Sequence, residues 1–188
     1  MIHLSAQQLD RAVGAVLASA AGDALGSQYE FGPALPDSVT PEFGVGCFGH
    51  DSGEWTDDTS MAMPILRQLA EGRALEDAEA ISQIVTDWRE WARTAKDVGR
   101  QTRAVLCRLG DDTGETAARS ASEAVHRHTG RSAGNGSLMR TGPVALGYLD
   151  RSPQSSPPPP GDLRSSPTGR WTTWMPSPCG VWRSGTPS

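Results

Sequence analysis

In several stretches between Ser5 and Leu149 the apolar residues recur at helical spacing, and no segment gives a convincing strand alternation, a pattern that favours helices joined by loops. Ser5-Ala6-Gln7-Gln8 reads as a capping box, a Ser with Gln three positions on. Behind it Leu9, Val13, Val16, Leu17 and Ala20 share one helical face, and its alanines and glycines let a neighbour approach closely. A second helix is expected from Thr56–Thr59 to Glu71, closed by Gly72 and kinked or delayed by Pro64. Ile81, Ile84, Val85, Trp88 and Trp91 predict a third over 75–95, and Thr102, Val105, Leu106 and Leu109 a fourth over 98–109. An alanine-rich helix is expected over 115–126, and Pro143 suits the first turn of a last one through Val144, Leu146 and Leu149. The expected fold class is all-α. Its buried faces should be Leu9, Val13, Val16, Leu17, Ile81, Ile84, Val85, Trp88, Val105, Leu106 and Leu109.

The pattern stops near residue 150. Residues 1–150 carry 13 Lys+Arg against 21 Asp+Glu, whereas residues 151–188 carry four Arg and one Asp. Nine of the 14 prolines and three of the six tryptophans fall in that tail, with few aliphatic residues to bury, so it is expected to be disordered. The division is therefore a helical domain over 1–150 and a Pro/Ser/Arg-rich tail over 151–188. A net charge of -5 is unfavourable for a phosphate-backbone binder, so nucleic acid is not an expected partner. No apolar run is long enough to span a bilayer, and no secretory signal opens the chain. Three separated cysteines, Cys47, Cys107 and Cys179, suggest a reducing compartment and a cytoplasmic protein without membrane partners.

Three clusters carry chemistry. Gly53-Glu54-Trp55-Thr56-Asp57-Asp58-Thr59 gathers hard oxygen donors at the mouth of a helix, the chemistry Mg²⁺ or Mn²⁺ prefers. N-capping alone would account for Thr-Asp, but not for the whole run after Gly and Trp. Ala21-Gly22-Asp23-Ala24-Leu25-Gly26 closes the first helix, and Glu30 follows in the loop, where a carboxylate can reach a ligand or simply face solvent. Ser132-Ala133-Gly134-Asn135-Gly136-Ser137-Leu138-Met139-Arg140 reads equally as an Asn-Gly turn or as a backbone nest for a phosphate. Gly44-Val45-Gly46-Cys47-Phe48-Gly49 has dinucleotide-fingerprint spacing but lacks the strand before it and the helix after it. His126 and His128 have no nucleophile partner and are not expected to bind metal.

In this order the clusters resemble the ADP-ribosylglycohydrolase family, through Gly22–Gly26 with Glu30, Trp55–Thr59, and Gly134–Arg140 with Pro143. The resemblance covers about residues 8–150 and implies an orthogonal multi-helix bundle with two Mg²⁺ (or Mn²⁺) ions in a cleft. It implies that Thr56, Asp57 and Asp58 are metal ligands and that Glu30 and Asp57 act at the scissile bond. Ser132, Gly134, Asn135 and Gly136 would bind the diphosphate and its ribose; Asp23 would only shape the loop. The implied reaction is hydrolysis of ADP-ribose from a protein side chain or a small ADP-ribose conjugate. A non-catalytic ADP-ribose-binding or scaffold protein is the competing expectation.

The family's second aspartate cluster and its Thr-His motif have no counterpart in residues 151–188, where Asp162 is the sole Asp and there is no His. The chain is therefore expected to be a truncated form, with weak Mg²⁺ binding and little hydrolysis. A shifted reading frame would account for the tail. Twelve of the 13 basic residues before 151 are Arg, as in GC-rich coding, with Lys96 the exception. Because Trp and Met each have one codon, the Trp171/Thr172 junction read in the shifted frame becomes Asp. The Trp174/Met175 junction also becomes Asp, and Met175/Pro176 becomes Ala.

Overall fold

The computed structural model describes residues 4–130 and 135–149. Among them are six α-helices and two 3-10 turns, with no strand, so the chain is all-α as its periodicity predicts. Helix α1 spans Ala6–Gly26 and continues into a 3-10 turn, Ser27–Tyr29. After a long loop come α2 (Asp57–Ala70), α3 (Ala78–Trp91), α4 (Arg100–Leu106) and α5 (Glu115–Thr129). The second 3-10 turn, Asn135–Arg140, leads directly into α6, Thr141–Leu146.

Local chemistry sets the ends. At α1 the Ser5 hydroxyl accepts from the Gln8 amide while the Gln8 side chain accepts from the Ser5 amide, closing both halves of the capping box. Gly72 follows α2 at φ +74 and Gly130 follows α5 at φ +64, the left-handed conformation in which a Cβ is strained. Helix α3 starts later than its apolar period, at Ala78, because the Asp77 carboxylate accepts from the Ala74 amide and turns the chain there. Leu75 thus lies in a turn, yet it is fully buried. Pro64 sits within α2 without ending it.

The main core joins Met61 and Ile65 of α2 to Ile81, Ile84, Val85 and Trp88 of α3, with Leu75, Leu106, Ala118 and Val144 around them. Val105, Ala121 and Val125 form a smaller cluster between α4 and α5, and half-buried Leu109 touches both. Every α3 and α4 residue expected inside is inside.

The α1 expectation fails. Leu9, Val13 and Leu17 are 55%, 49% and 64% exposed, Val16 is half-buried, and Ala24 is the one buried residue of the helix. The apolar face exists, but the contacts α1 makes with α2 and α6 leave Leu9, Val13 and Leu17 exposed. No helix among the described residues is long and apolar enough to cross a membrane.

Candidate active site

Helix α2 begins without a cap of its own. Thr56 is the N-cap residue, and its side chain makes no capping bond. The cap comes from α1. One oxygen of the Asp23 carboxylate accepts from the Thr56 hydroxyl at 2.6 Å, and the other accepts from the Thr59 hydroxyl at 2.6 Å. The Thr59 amide donates to it at 3.0 Å, and the Thr56 amide is shared between both oxygens at 3.1 Å. Free N–H groups of a first turn need an acceptor, and here a carboxylate from a distant helix supplies it. Thr56 and Thr59 are buried in consequence.

This clasp fixes where the next two side chains emerge. Asp57 and Asp58 stand in the first turn of α2, where the helix dipole favours negative charge. Their neighbours oppose it more strongly. Burial pushes the Asp57 carboxyl up to about 6, and the charges of Asp97, Asp58, Glu30 and Asp23 add to the shift. Asp58 is likewise pushed up to about 6, by burial and then by Asp23, Glu30 and Asp97, with Arg140 pulling the other way. Glu30 follows the 3-10 turn after α1, and partial desolvation raises its pKa although the residue is exposed. The Cys47 thiol, 3.7 Å from a Glu30 oxygen, offsets part of that rise. Glu30, Asp57 and Asp58 therefore share one electrostatic environment.

Sequence reasoning assigned no role to three members of this environment, Asp97, His50 and Arg140. Asp97, in the loop between α3 and α4, raises Glu30, Asp57 and Asp58 alike. Its carboxylate lies 3.5 Å from Nε2 of buried His50. A Cβ on Gly99, just beyond Asp97, would stand 3.9 Å from an Asp57 carboxylate oxygen, so this loop runs close against the aspartate pair. Arg140 is the third. Only 3% exposed, its guanidinium lies 5.2 Å from the centroid of the Trp88 ring and contacts the Met61 sulfur at 3.3 Å. Burial lowers its pKa to about 10 while Asp57 and Asp58 hold it charged. It is the buried cation facing the acid cluster.

The phosphate-loop expectation falls partly outside the described residues, which exclude Ser132 and Gly134. Asn135 opens the second 3-10 turn. Gly136 comes next, where an added Cβ would sit 3.6 Å from an Arg140 guanidinium nitrogen. Gly136 and the acid cluster thus approach one another through Arg140.

The donor chemistry suits a hard divalent cation: Asp57, Asp58 and Glu30 repel one another's charges, and bound positive charge would relieve that. Among the described residues, however, no three His, Cys, Asp or Glu side chains stand close enough together to enclose an ion. Further ligands would have to come from water, from substrate or from elsewhere.

The ADP-ribosylglycohydrolase family profile matches residues 4–156. The chain is 33% identical over 144 residues to ADP-ribosylarginine hydrolase Tri1 of Pseudomonas putida (strain GB-1), covering 74% of this chain and 37% of that protein. It is 34% identical over 104 residues to the protein of the same name from Serratia proteamaculans (strain 568), covering 53% and 28%. It is 31% identical over 148 residues to ADP-ribosyl-[dinitrogen reductase] glycohydrolase of Rhodospirillum rubrum, covering 74% and 45%. The chain spans less than half the length of these curated relatives. With the family match running through α1, the aspartate pair and the Met139-Arg140 loop, the chain belongs to the ADP-ribosylglycohydrolase family.

Proposed function

We propose that the site binds an ADP-ribosyl group attached to a protein side chain and takes part in its metal-dependent hydrolysis. The observation that carries this is the cluster at the α2 N-terminus, where burial and mutual repulsion raise Glu30, Asp57 and Asp58. The relatives' names support an ADP-ribosylated protein as substrate, with arginine or dinitrogenase reductase as the modified partner. The free thiols of Cys47 and Cys107 favour a cytoplasmic setting.

Thr56, Asp57, Asp58 and Glu30 would hold Mg²⁺ or Mn²⁺, which supplies positive charge against ribose oxygens and water. The remaining work belongs to the chain. Glu30, raised by desolvation, lies nearer the working pH than an ordinary glutamate and is suited to proton transfer at the anomeric carbon. Backbone N–H groups of Ser132, Gly134, Asn135 and Gly136 would bind the diphosphate, away from the reacting carbon. Arg140 keeps the acid cluster from accumulating uncompensated charge.

The test is release of ADP-ribose from a protein ADP-ribosylated on arginine, with Mg²⁺ or with EDTA. Release that needs Mg²⁺ and falls about 10²- to 10⁴-fold in Glu30→Gln supports the hydrolase reading. The unclosed ligand set favours a second reading, an ADP-ribose-binding protein without turnover. Calorimetry with ADP-ribose separates the two, since binding unchanged by EDTA together with no release supports the second.

A further inference from the structure

We infer that Phe31 and Phe48 form a recognition site, at the rim of the acid cluster, for an unmodified arginine side chain of the target protein. The inference rests on the reading above that the substrate is an ADP-ribosylated protein. The two rings meet edge to face, with centroids 6.0 Å apart and an interplanar angle of 89°. In that arrangement the ring presenting its edge keeps both faces clear of its partner. Phe31 is 89% exposed and Phe48 47% exposed, so neither ring serves to fill a core. Phe31 follows directly on Glu30, and Phe48 follows on Cys47, whose thiol lies 3.7 Å from a Glu30 carboxylate oxygen. The pair therefore stands beside Glu30 and open to solvent. A modified side chain has to reach inward to Asp57 and Asp58, so the exposed rim meets the protein that carries it.

Charge selects the occupant. From Ser27 to Ser60 the chain carries seven Asp+Glu and no Lys or Arg. The Lys96 ammonium approaches this segment but is taken up by Glu54 at 2.5 Å. A diphosphate is repelled by such a field, which disfavours the nucleotide part of a substrate at these rings. A cation is attracted, and the negative face of an aromatic ring adds to the attraction. Among cations a guanidinium fits best: planar and weakly hydrated, it stacks on a ring while its N–H fork reaches a carboxylate. Phe31 also holds a costly backbone. Its φ of +60 is the one positive value at a non-glycine among the described residues, and a bulky side chain is strained there. Burial of the ring does not offset that strain, because the ring is not buried.

The ring signals of Phe31 and Phe48 in NMR spectra of the 188-residue chain report occupancy directly. N-acetyl-arginine amide should shift both at millimolar concentration, and added salt should reduce the shift. N-acetyl-citrulline amide keeps the shape without the charge and should bind at least about twofold more weakly. Adenosine should leave both rings unmoved. Phe48→Leu should weaken arginine binding about two- to fivefold, and Phe48→Tyr should retain it. Phe31→Gly removes the ring and relieves the backbone together, so binding should fall by a similar factor while the urea midpoint holds. A response to citrulline equal to that to arginine would overturn the inference. So would shifts from adenosine but not arginine, or a lower urea midpoint in Phe31→Gly with arginine binding unchanged. Binding of ADP-ribose with the rings silent to arginine would overturn this inference alone. Arginine binding at the rings of a chain that neither binds nor releases ADP-ribose would overturn the ADP-ribosyl reading and leave the guanidinium site standing.

Discussion

The indole Nε1 of Trp88 donates to the Met61 carbonyl at 2.8 Å, and the guanidinium of Arg140 lies over the same indole. One α3 side chain therefore connects the core face of α2 to the cation that faces the aspartate pair. Trp88→Phe keeps most of the apolar volume but removes the N–H. The substitution should cost about 1–3 kcal/mol in urea unfolding, from the lost buried hydrogen bond and weaker cation–π contact. A cost under about 0.5 kcal/mol would show that the bond contributes nothing net.

Stability should depend on pH in a direction set by Asp57 and Asp58. Both are raised in the folded chain to about 6 from 3.8, so between these values the folded state holds more protons than the unfolded. Stability should therefore rise as pH falls from about 7 towards 4. Allowing for screening by solvent, each group contributes on the order of 1 kcal/mol. Unfolding by urea in EDTA at pH 7.5 and pH 5 checks the sign, and saturating Mg²⁺ should flatten the slope. A chain less stable at pH 5 would contradict the assigned shifts.

The exposed α1 face predicts self-association. Leu9, Val13 and Leu17 lie on one side of the helix and are all about half exposed or more. Replacing them together by Gln, Lys and Glu should change unfolding free energy by no more than about 0.5 kcal/mol per site. The same change should move the chain towards monomer in size-exclusion chromatography with light scattering. A loss of about 2 kcal/mol or more per site would mean the face is buried.

Resequencing the gene across codon 150 should reveal an inserted or deleted base, with the frame that turns the Trp174/Met175 junction into Asp continuing as protein-like sequence. An intact frame, with no Thr-His or Asp-rich motif in the alternatives, would establish the tail as this protein's own.

What the sequence disclosed divides along physical lines. Ile81, Ile84, Val85 and Trp88 were legible because their burial follows from helical period and a local partner in α2. For Leu9, Val13 and Leu17 the same period identified an apolar face correctly but could not say whether anything covers it. The aspartate pair and Glu30 are singled out by residue type and family resemblance. Asp97 was not, since an acid in a short interhelical loop looks like surface charge until the fold brings it towards Asp57. Arg140 stood in a polar loop, and its burial depends on Trp88, which no local pattern connects to it. Asp23 was expected only to shape its loop. Its contacts are to Thr56 and Thr59, more than thirty residues away.

The bonds from Asp23 to Thr56 and Thr59 also draw together the two ends of the segment from Ser27 to Trp55, like a cord tied at the neck of a pouch. The cost of closing such a loop grows only slowly with its length, so residues can be added or removed beyond the knot at small expense. The stretch from Gly32 to Pro41 is exposed and without helix, and it lies short of Glu42, whose backbone is held by Tyr29, so it can vary while the aspartate pair stays in place. Length and composition can change there without disturbing the anchored start of α2.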